Sequence, residues 1–129
     1  MIAIDTNILV RLLVADHPAQ YKASHTLFSS EDIFIPDTVI LETEWVLRAA
    51  YALSPLEVCT AFGKTFGLPN VTITHPALML QVITWHESGL DFADAMHLAH
   101  SQDKKCLKTF DNQFIKNAKK LTDCRVEKP

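Results

Sequence analysis

The chain has 129 residues and a mass of 14.5 kDa, and apolar residues make up 48% of it against 21% charged residues. These values are typical of one globular domain with a buried core, and they exclude collagen-like and disordered classes. No apolar run approaches the roughly 18 residues that a membrane-spanning helix needs, and the N-terminus lacks the cationic start of a signal peptide. The three cysteines form no CxxC pair, so we expect neither a disulfide framework nor a structural zinc site, and we expect a cytoplasmic protein.

Charge is distributed unevenly along the chain, although its net value is only −3. Residues 1–103 contain 4 basic and 12 acidic residues, whereas residues 104–129 contain 8 basic and 3 acidic residues. A basic tail on an acidic body is suited to binding a polyanion with the tail and cations with the body. The tail lysines Lys116, Lys119 and Lys120 are also explained as solvated residues of a helix, so both interpretations remain open.

Short apolar runs predict four buried strands and one shorter edge strand: Met1–Ile4, Ile33–Ile35, Val71–Thr74, Cys106–Thr109 and the residues around Val126. Uninterrupted apolar strands that alternate with helices indicate a parallel sheet that is covered on both faces. We therefore predict a single domain over residues 1–129. Its predicted class is α/β, with three α/β/α layers and a central, mainly parallel sheet of four to five strands.

Apolar spacing and capping signals predict helices between these strands. Asp37 is the predicted N-cap of a helix that runs to about Ala50, and Ser54 with Glu57 forms a capping box. The other helices are predicted from Asn7 to Ala15, from Pro18 onward, from Ser54 to about Gly67, from Pro76 to about Gly89 and from Phe92 to about Gln102.

Two acidic residues directly follow predicted strands. Asp5 comes after the first strand, and Asp111 comes after the fourth. Ligands of parallel α/β sheets bind beyond the carboxyl ends of the strands, so we expect both carboxylates at the same edge of the sheet. Each is also explained as the N-cap of the helix that follows, and the two interpretations are compatible.

Glu42 is a candidate because of its helical neighbours. At 100° per residue it falls beside Val39, Val46 and Ala49, which form an apolar stripe, whereas Glu44 is paired with Arg48 one turn later. The pattern therefore predicts that Glu42 lies on the buried face of its helix and Glu44 on the solvent face. A carboxylate on a buried face needs a cation, a proton or several hydrogen-bond donors.

Asp91 and Asp94 lie at the start of a helix whose apolar face contains Phe92, Ala95 and Met96. On pattern alone, Asp91 is the N-cap and Asp94 is a third-position residue that complements the helix dipole. Burial does not single Asp94 out, because it points away from the apolar face.

Several acids without accompanying cysteines predict a site for a hard, oxygen-preferring cation such as Mg²⁺ or Mn²⁺. His97 and His100 lie three residues apart and are candidate zinc ligands, but no third soft ligand has a supporting spacing. Asn7 and Thr109 carry an amide and a hydroxyl that are suited to hydrogen-bond metal-binding carboxylates.

Four segments occur in order and at ordinary spacings: Ile4–Leu9, Val39–Leu47 with Pro36 before it, Phe92–Ala99 and Thr109–Phe114. They resemble the four motifs of the PIN domain, and specifically those of the VapC-type toxins of bacterial toxin–antitoxin pairs. Each motif alone is weak, but the four together cover nearly the whole chain and are strong.

The resemblance implies a three-layer PIN fold and a metal-dependent endoribonuclease that uses one or two Mg²⁺ or Mn²⁺ ions. The residues that correspond to the family's acidic quartet are Asp5, Glu42, Asp94 and Asp111. Asp91 has no firm counterpart, so it is treated as a cap that supports the site. The cation would activate water and stabilise the phosphate, and the basic tail would hold flanking phosphates. The resemblance also implies a homodimer and a small cognate antitoxin.

Other classes of protein fit the sequence less well. A phosphorylated receiver domain needs adjacent acids after the first strand and an Asp near mid-chain, but Thr6 follows Asp5 and residues 38–90 contain no Asp. A haloacid-dehalogenase-like phosphatase needs a second Asp where Asn7 stands. A catalytically silent PIN-like binding module and a PIN nuclease that processes RNA or acts on DNA remain as alternatives.

Overall fold

The computed structural model describes residues 1–129, which form seven helices and five short strands. Every strand pair is parallel, as the sequence predicted, and the element content is that of a three-layer α/β/α fold. The chain divides into two compact units, Met1–Thr74 and His75–Pro129. In chain order the elements are β1 (Ile2–Ala3), α1 (Thr6–Val14), α2 (Pro18–Ser30), β2 (Ile33–Ile35), α3 (Asp37–Tyr51), α4 (Pro55–Phe66), β3 (Val71–Ile73), α5 (Pro76–Glu87), α6 (Phe92–Ala99), β4 (Leu107–Lys108), α7 (Asn112–Ala118) and β5 (Val126–Glu127).

The first unit contains a three-stranded sheet in the order β1-β2-β3, with Ile2 opposite Ile33 and Ile33 opposite Val71. Helix α1 packs against α2 and α3, and α4 packs against α3 and β3. Because β2 is the central strand, its side chains at both ends are fully buried. The fully buried apolar residues of this unit include Leu9, Ile33, Ile35, Ile40, Leu47 and Phe62.

The second unit contains the two-stranded sheet β4-β5, with Leu107 opposite Val126. Helix α5 packs against α6, and α7 packs against β5. A tight turn at Gly89, which has a φ of 108°, joins α5 to α6 and so fixes where α6 begins. The buried apolar residues of this unit include Met79, Val82, Phe92, Ala95, Leu98 and Phe114.

All five predicted strands are present, and they divide into two sheets of three and two strands. Strand β2 has its predicted bounds, whereas β1, β3 and β4 are shorter than predicted. The difference is greatest where the strands have only two residues, because so short a strand makes few ladder hydrogen bonds. The prediction of a single domain over residues 1–129 remains a prediction.

Helix boundaries agree with the sequence where a local capping signal is present. Ser54 and Glu57 form the predicted capping box, with N···O distances of 3.1 and 3.2 Å. Two predictions are wrong. The N-cap of α3 is Pro36 and Asp37 is its first helical residue, because the helix already begins at the residue after β2 and its connecting proline. Helix α6 ends at Ala99 instead of Gln102, because the Gln102 side chain donates to the Leu98 carbonyl and closes the helix end.

Candidate active site

Asp5 lies between β1 and α1, at the position that the sequence predicted. Its Oδ1 accepts a hydrogen bond from the backbone N–H of Ile8 at 3.1 Å, so Asp5 is the N-cap of α1. Its side chain is exposed, as is that of Asn7. Both residues line a groove of about 600 Å³ between the start of α1 and the face of α2, with Arg11 and Gln20 further along the groove. Asp5 is therefore a capping residue that is also open to a ligand.

The predicted orientation of Glu42 and Glu44 is wrong. Glu44 is only 2% exposed, whereas Glu42 is exposed. The buried stripe of α3 contains Ile40, Thr43 and Leu47, and Glu42 lies about 200° around the helix from Ile40. The predicted stripe is only partly buried, since Val39 is buried, Val46 is half-buried and Ala49 is exposed.

The ion pair between Glu44 and Arg48 is nevertheless present, with Oε2 of Glu44 3.0 Å from Nε of Arg48. A second guanidinium nitrogen lies 3.4 Å from Oε1 of Glu44. Both carboxylate oxygens of Glu44 therefore already have a partner. Glu42 has no hydrogen bond or ion pair, so its carboxylate is available to a ligand. Its selection as a site residue consequently rests on its motif and not on burial.

Asp91 and Asp94 occupy the positions that the sequence predicted at the start of α6. Oδ2 of Asp91 accepts from the backbone N–H of Asp94 at 3.1 Å, so Asp91 is the N-cap. Asp94 is half-buried, and its carboxylate accepts no hydrogen bond. The apolar residues beside it, Phe92 and Ala95, are fully buried. Asp94 is thus a partly buried carboxylate at the edge of a buried helix face, and no hydrogen-bond donor compensates for the water that it has lost.

Asp111 is the N-cap of α7, as the alternative interpretation of the sequence had it. Its Oδ1 accepts from the backbone N–H groups of Gln113 at 2.9 Å and Phe114 at 3.0 Å. The backbone N–H of Asp111 donates to Oγ1 of Thr109 at 3.1 Å. Thr109 therefore orients the backbone at Asp111, which gives it the supporting position that the sequence proposed for it.

The second unit brings three of the candidate acids into electrostatic contact. Partial burial raises the pKa of Asp94 above its usual 3.8, and the negative charges of Asp91 and Asp111 raise this pKa further. His97 opposes the shift. A cation beside Asp94 would counter both causes of the raised pKa, since it would coordinate the partly buried carboxylate and offset the repulsion by Asp91 and Asp111.

Asp5 and Glu42 belong to the first unit, and Asp91, Asp94 and Asp111 belong to the second. No group of three or more His, Cys, Asp and Glu side chains is close enough to form a ready-made metal site. The charges of Asp91 and Asp111 thus act on Asp94 although the three acids do not form such a group.

The donor set nevertheless fits a hard cation better than zinc. The two histidines considered as zinc ligands, His97 and His100, are not part of a ligand cluster, and the ring of His100 packs edge-on against His75 with centroids 5.7 Å apart. The capping acids each keep an oxygen that accepts no hydrogen bond: Oδ2 of Asp5, Oδ1 of Asp91 and Oδ2 of Asp111. A cap and a metal ligand are therefore compatible roles, because the cap orients one oxygen and leaves the other for oxygen-preferring Mg²⁺ or Mn²⁺.

The sequence did not indicate two features of this region. One is the burial of Glu44, for which the apolar residues Ile40 and Leu47 on the same stripe were an available signal. The other is Phe110, which is 81% exposed beside Asp111 although it is a large apolar residue. No periodicity in the sequence predicts the exposure of Phe110.

Comparison with known proteins identifies the family. The model of the PIN domain family matches residues 2–120, and PIN domains are generally metal-dependent nucleases. The curated proteins gave no significant match, and neither did the solved structures. None of the helices has the length and apolar character required to cross a membrane. The family match spans nearly the whole chain and all four acids of the quartet, and the chain therefore belongs to the PIN domain family.

Proposed function

We propose that this PIN domain is a Mg²⁺- or Mn²⁺-dependent endoribonuclease and the toxin of a toxin–antitoxin pair. The observation that carries the catalytic part is the environment of Asp94. This carboxylate is half-buried, accepts no hydrogen bond, and interacts with the like charges of Asp91 and Asp111. Such an arrangement costs stability in the protein alone, and it is compensated when a cation binds. Sites that retain this cost commonly have a catalytic role.

The residues proposed to hold the cation are the acidic quartet Asp5, Glu42, Asp94 and Asp111. When bound, the divalent cation supplies charge that stabilises the reacting phosphate and lowers the pKa of a water molecule. Helix caps hold Asp5 and Asp111 in fixed orientations, so these side chains lose little freedom when they bind the ion.

Three further residues support the quartet in this proposal. Asn7 lines the groove beside Asp5, Thr109 accepts from the backbone N–H of Asp111, and Asp91 caps the helix that carries Asp94. Each lies two or three residues from an acid of the quartet, so we expect a change at any of them to move a metal-binding carboxylate.

RNA binding is supported by the lysines of the C-terminal tail. Lys116, Lys119 and Lys120 are exposed and have no ion-pair partner. By contrast, Lys108 and Arg125 are both paired with Glu127, at 2.7 and 3.0 Å. These three lysines are therefore available to neutralise RNA phosphates, which would make RNA affinity fall with salt.

The toxin role is supported by the motif resemblance and by the exposed apolar residues of the first unit. Trp45 on α3 is 58% exposed and Leu56 on α4 is 67% exposed. We propose that such residues contact a second copy of the chain or a small antitoxin. Native mass measurement after expression with the adjacent gene tests this role. A monomer without a copurifying partner, or a locus without a short upstream gene for a DNA-binding protein, would count against it.

Cleavage assays test the catalytic proposal directly. Purified protein free of antitoxin should cut single-stranded RNA with Mg²⁺ or Mn²⁺ and should be inactive in EDTA. Asp94→Asn should abolish cleavage, whereas Asp103→Asn should not, because Asp103 is an exposed acid of the same unit that is paired only with Lys104. Cutting that persists in EDTA would refute metal dependence. Cleavage of DNA alone would favour a DNA-acting nuclease, and no cleavage of either would favour a silent binding module.

A further inference from the structure

Phe110 is the most exposed of the large apolar side chains, at 81%, and it immediately precedes Asp111. Most phenylalanines of this chain are buried or half-buried, including Phe92 and Phe114 in the same unit. An exposed aromatic ring offers a large apolar surface, and burying that surface against a ligand is favourable. Its position next to an acid of the quartet suggests that the bound group lies at the active site.

The backbone on both sides of Phe110 is fixed. The N–H of Thr109 donates to the carbonyl of Glu127 at 3.0 Å, which continues the β4–β5 ladder. The N–H of Asp111 donates to the Thr109 hydroxyl, and the Asp111 carboxylate caps α7. Phe110 therefore projects from a rigid segment, and a ligand that stacks on its ring meets a surface that is already positioned.

The chain around Phe110 is polar, which distinguishes it from a protein-docking patch. Lys108, Asn112 and Gln113 are exposed, so the exposed residues closest to Phe110 in the sequence are polar. The core of a protein interface is instead a contiguous apolar area with a polar rim. A single ring with polar neighbours suits a flat ligand with a π face and polar edges, and a nucleobase is such a ligand.

We propose that Phe110 stacks against a base of single-stranded RNA next to the phosphate that is cleaved, an inference that rests on the proposed nuclease function. Phe110 and Asp111 are consecutive, with α-carbons about 3.8 Å apart, so a base that stacks on the ring would belong to a nucleotide close to the phosphate that a cation holds at Asp111. Every base has a π face, so the contact adds affinity and position with little sequence preference. Duplex RNA hides those faces, so the contact favours single strands.

Binding to a short single-stranded RNA that carries 2-aminopurine tests the proposal, because stacking quenches the fluorescence of this base. Asp94→Asn is present in all samples so that the RNA stays intact. Phe110→Ala should weaken binding about ten-fold and remove the quenching, whereas Phe110→Trp should retain both. Leu80→Ala is the matched control, since Leu80 is an exposed apolar residue of the same unit at 67% and should bind RNA normally.

The enzyme with Asp94 intact gives the second readout. Phe110→Ala should raise KM for single-stranded RNA and leave Mn²⁺ binding unchanged, which a residue that only maintains the fold would not do. If Phe110→Ala binds RNA as tightly as the parent while the parent cleaves RNA, stacking is refuted and the nuclease function stands. If the parent neither binds nor cleaves RNA, both are refuted. A change in oligomeric mass with unchanged RNA affinity would assign Phe110 to a protein interface and overturn the proposal.

Discussion

Glu44 accepts two hydrogen bonds from Arg48 one helical turn later, and the carboxylate that does so is only 2% exposed. Arg48 is half-exposed, with 48% of its side chain open to water. The pair thus joins a buried carboxylate to a solvated guanidinium at the border of the core. Glu42, two residues earlier, is exposed and unpaired. The glutamate side chain is therefore buried and paired at position 44, and exposed and unpaired at position 42.

Glu44→Gln should destabilise the protein, whereas Glu42→Gln should not. Replacing the buried Glu44 removes the charge that Arg48 binds and leaves an amide whose nitrogen faces the guanidinium. We expect a loss of about 1–3 kcal/mol in the free energy of unfolding. For Glu42→Gln we expect a change within about 0.5 kcal/mol, since the side chain is exposed. Urea unfolding in EDTA measures both, and equal stabilities of the two variants would contradict the assignment.

The activities of the same two variants should rank in the opposite order. Glu42→Gln removes a proposed metal-binding charge, so RNA cleavage should fall by at least about a hundred-fold. Glu44→Gln should retain cleavage per folded molecule. A cleavage assay under conditions where both are folded measures this. Normal activity of Glu42→Gln would remove Glu42 from the site.

Local signals in the sequence predicted most of the caps and helix starts of this fold, with the cap of α3 as the exception. The caps at Asp5, Ser54, Asp91 and Asp111 depend on a side chain and a backbone N–H only two or three residues away. Such contacts form within one helical turn, so short patterns indicate them. This is why the sequence located three of the four quartet acids at the ends of elements and the structure agrees.

Tertiary packing determined which face of helix α3 is buried, a point that the sequence left ambiguous. Helix α3 has apolar residues around much of its circumference, and contacts with α1 and α4 selected the stripe of Ile40 and Leu47. In the sequence, Ile40 and Leu47 indicated this stripe, but the pattern did not decide between it and the stripe of Val39 and Val46. Strand β4 is likewise shorter than the pattern from Cys106 to Thr109 predicted, by one residue at each end.

Asp94→Asn should separate metal binding from folding. In EDTA the variant should be as stable as the parent or more stable, because the substitution removes a half-buried charge that Asp91 and Asp111 repel. Mn²⁺ should raise the melting temperature of the parent, because it binds the folded state preferentially. At a free Mn²⁺ concentration one hundred times Kd, this binding stabilises the fold by about 2.7 kcal/mol. The melting temperature of the variant should not rise with Mn²⁺. Thermal unfolding with and without Mn²⁺ measures this, with Asp103→Asn as the control that should respond like the parent. An equal Mn²⁺ response of Asp94→Asn would exclude Asp94 as a ligand.

Two glycine-to-alanine substitutions should change stability in opposite directions. Gly89 has a φ of 108°, and a Cβ there would meet no atom within 4 Å, so the cost of Gly89→Ala is backbone strain of about 1–3 kcal/mol. Gly63 lies inside α4, and a Cβ there also meets no atom. Gly63→Ala should therefore stabilise by up to about 1 kcal/mol through helix propensity. Chemical unfolding of both variants provides the comparison, and a shift of the same sign would contradict the conformation at the α5–α6 turn.

Tyr51→Phe should lower stability near neutral pH but not in strong acid or strong base. The Tyr51 hydroxyl donates to Oδ2 of Asp16 at 2.8 Å, and Arg11 lies 3.0 Å from the other oxygen. The Tyr51 hydrogen bond is the main cause that lowers the pKa of Asp16 below 3.8, and the same bond raises the pKa of Tyr51 above 10.0. A lowered carboxyl pKa stabilises the fold above pH 3.8, and this stability is lost as pH falls through the folded pKa. A raised phenol pKa stabilises the fold below pH 10.0, and this stability is lost as pH rises through the folded value.

The difference in melting temperature between the parent and Tyr51→Phe should therefore form a plateau between these two limits and decline on both sides. Tyr21→Phe is the matched control, because the Tyr21 hydroxyl makes no hydrogen bond and its ring contacts only His25 among the aromatic side chains. Its difference from the parent should not vary with pH. A Tyr51→Phe difference that is equally constant from strong acid to strong base would show that the hydroxyl does not bind the ionised form of Asp16. The link between the end of α3 and the α1–α2 connection would then depend on Arg11 alone.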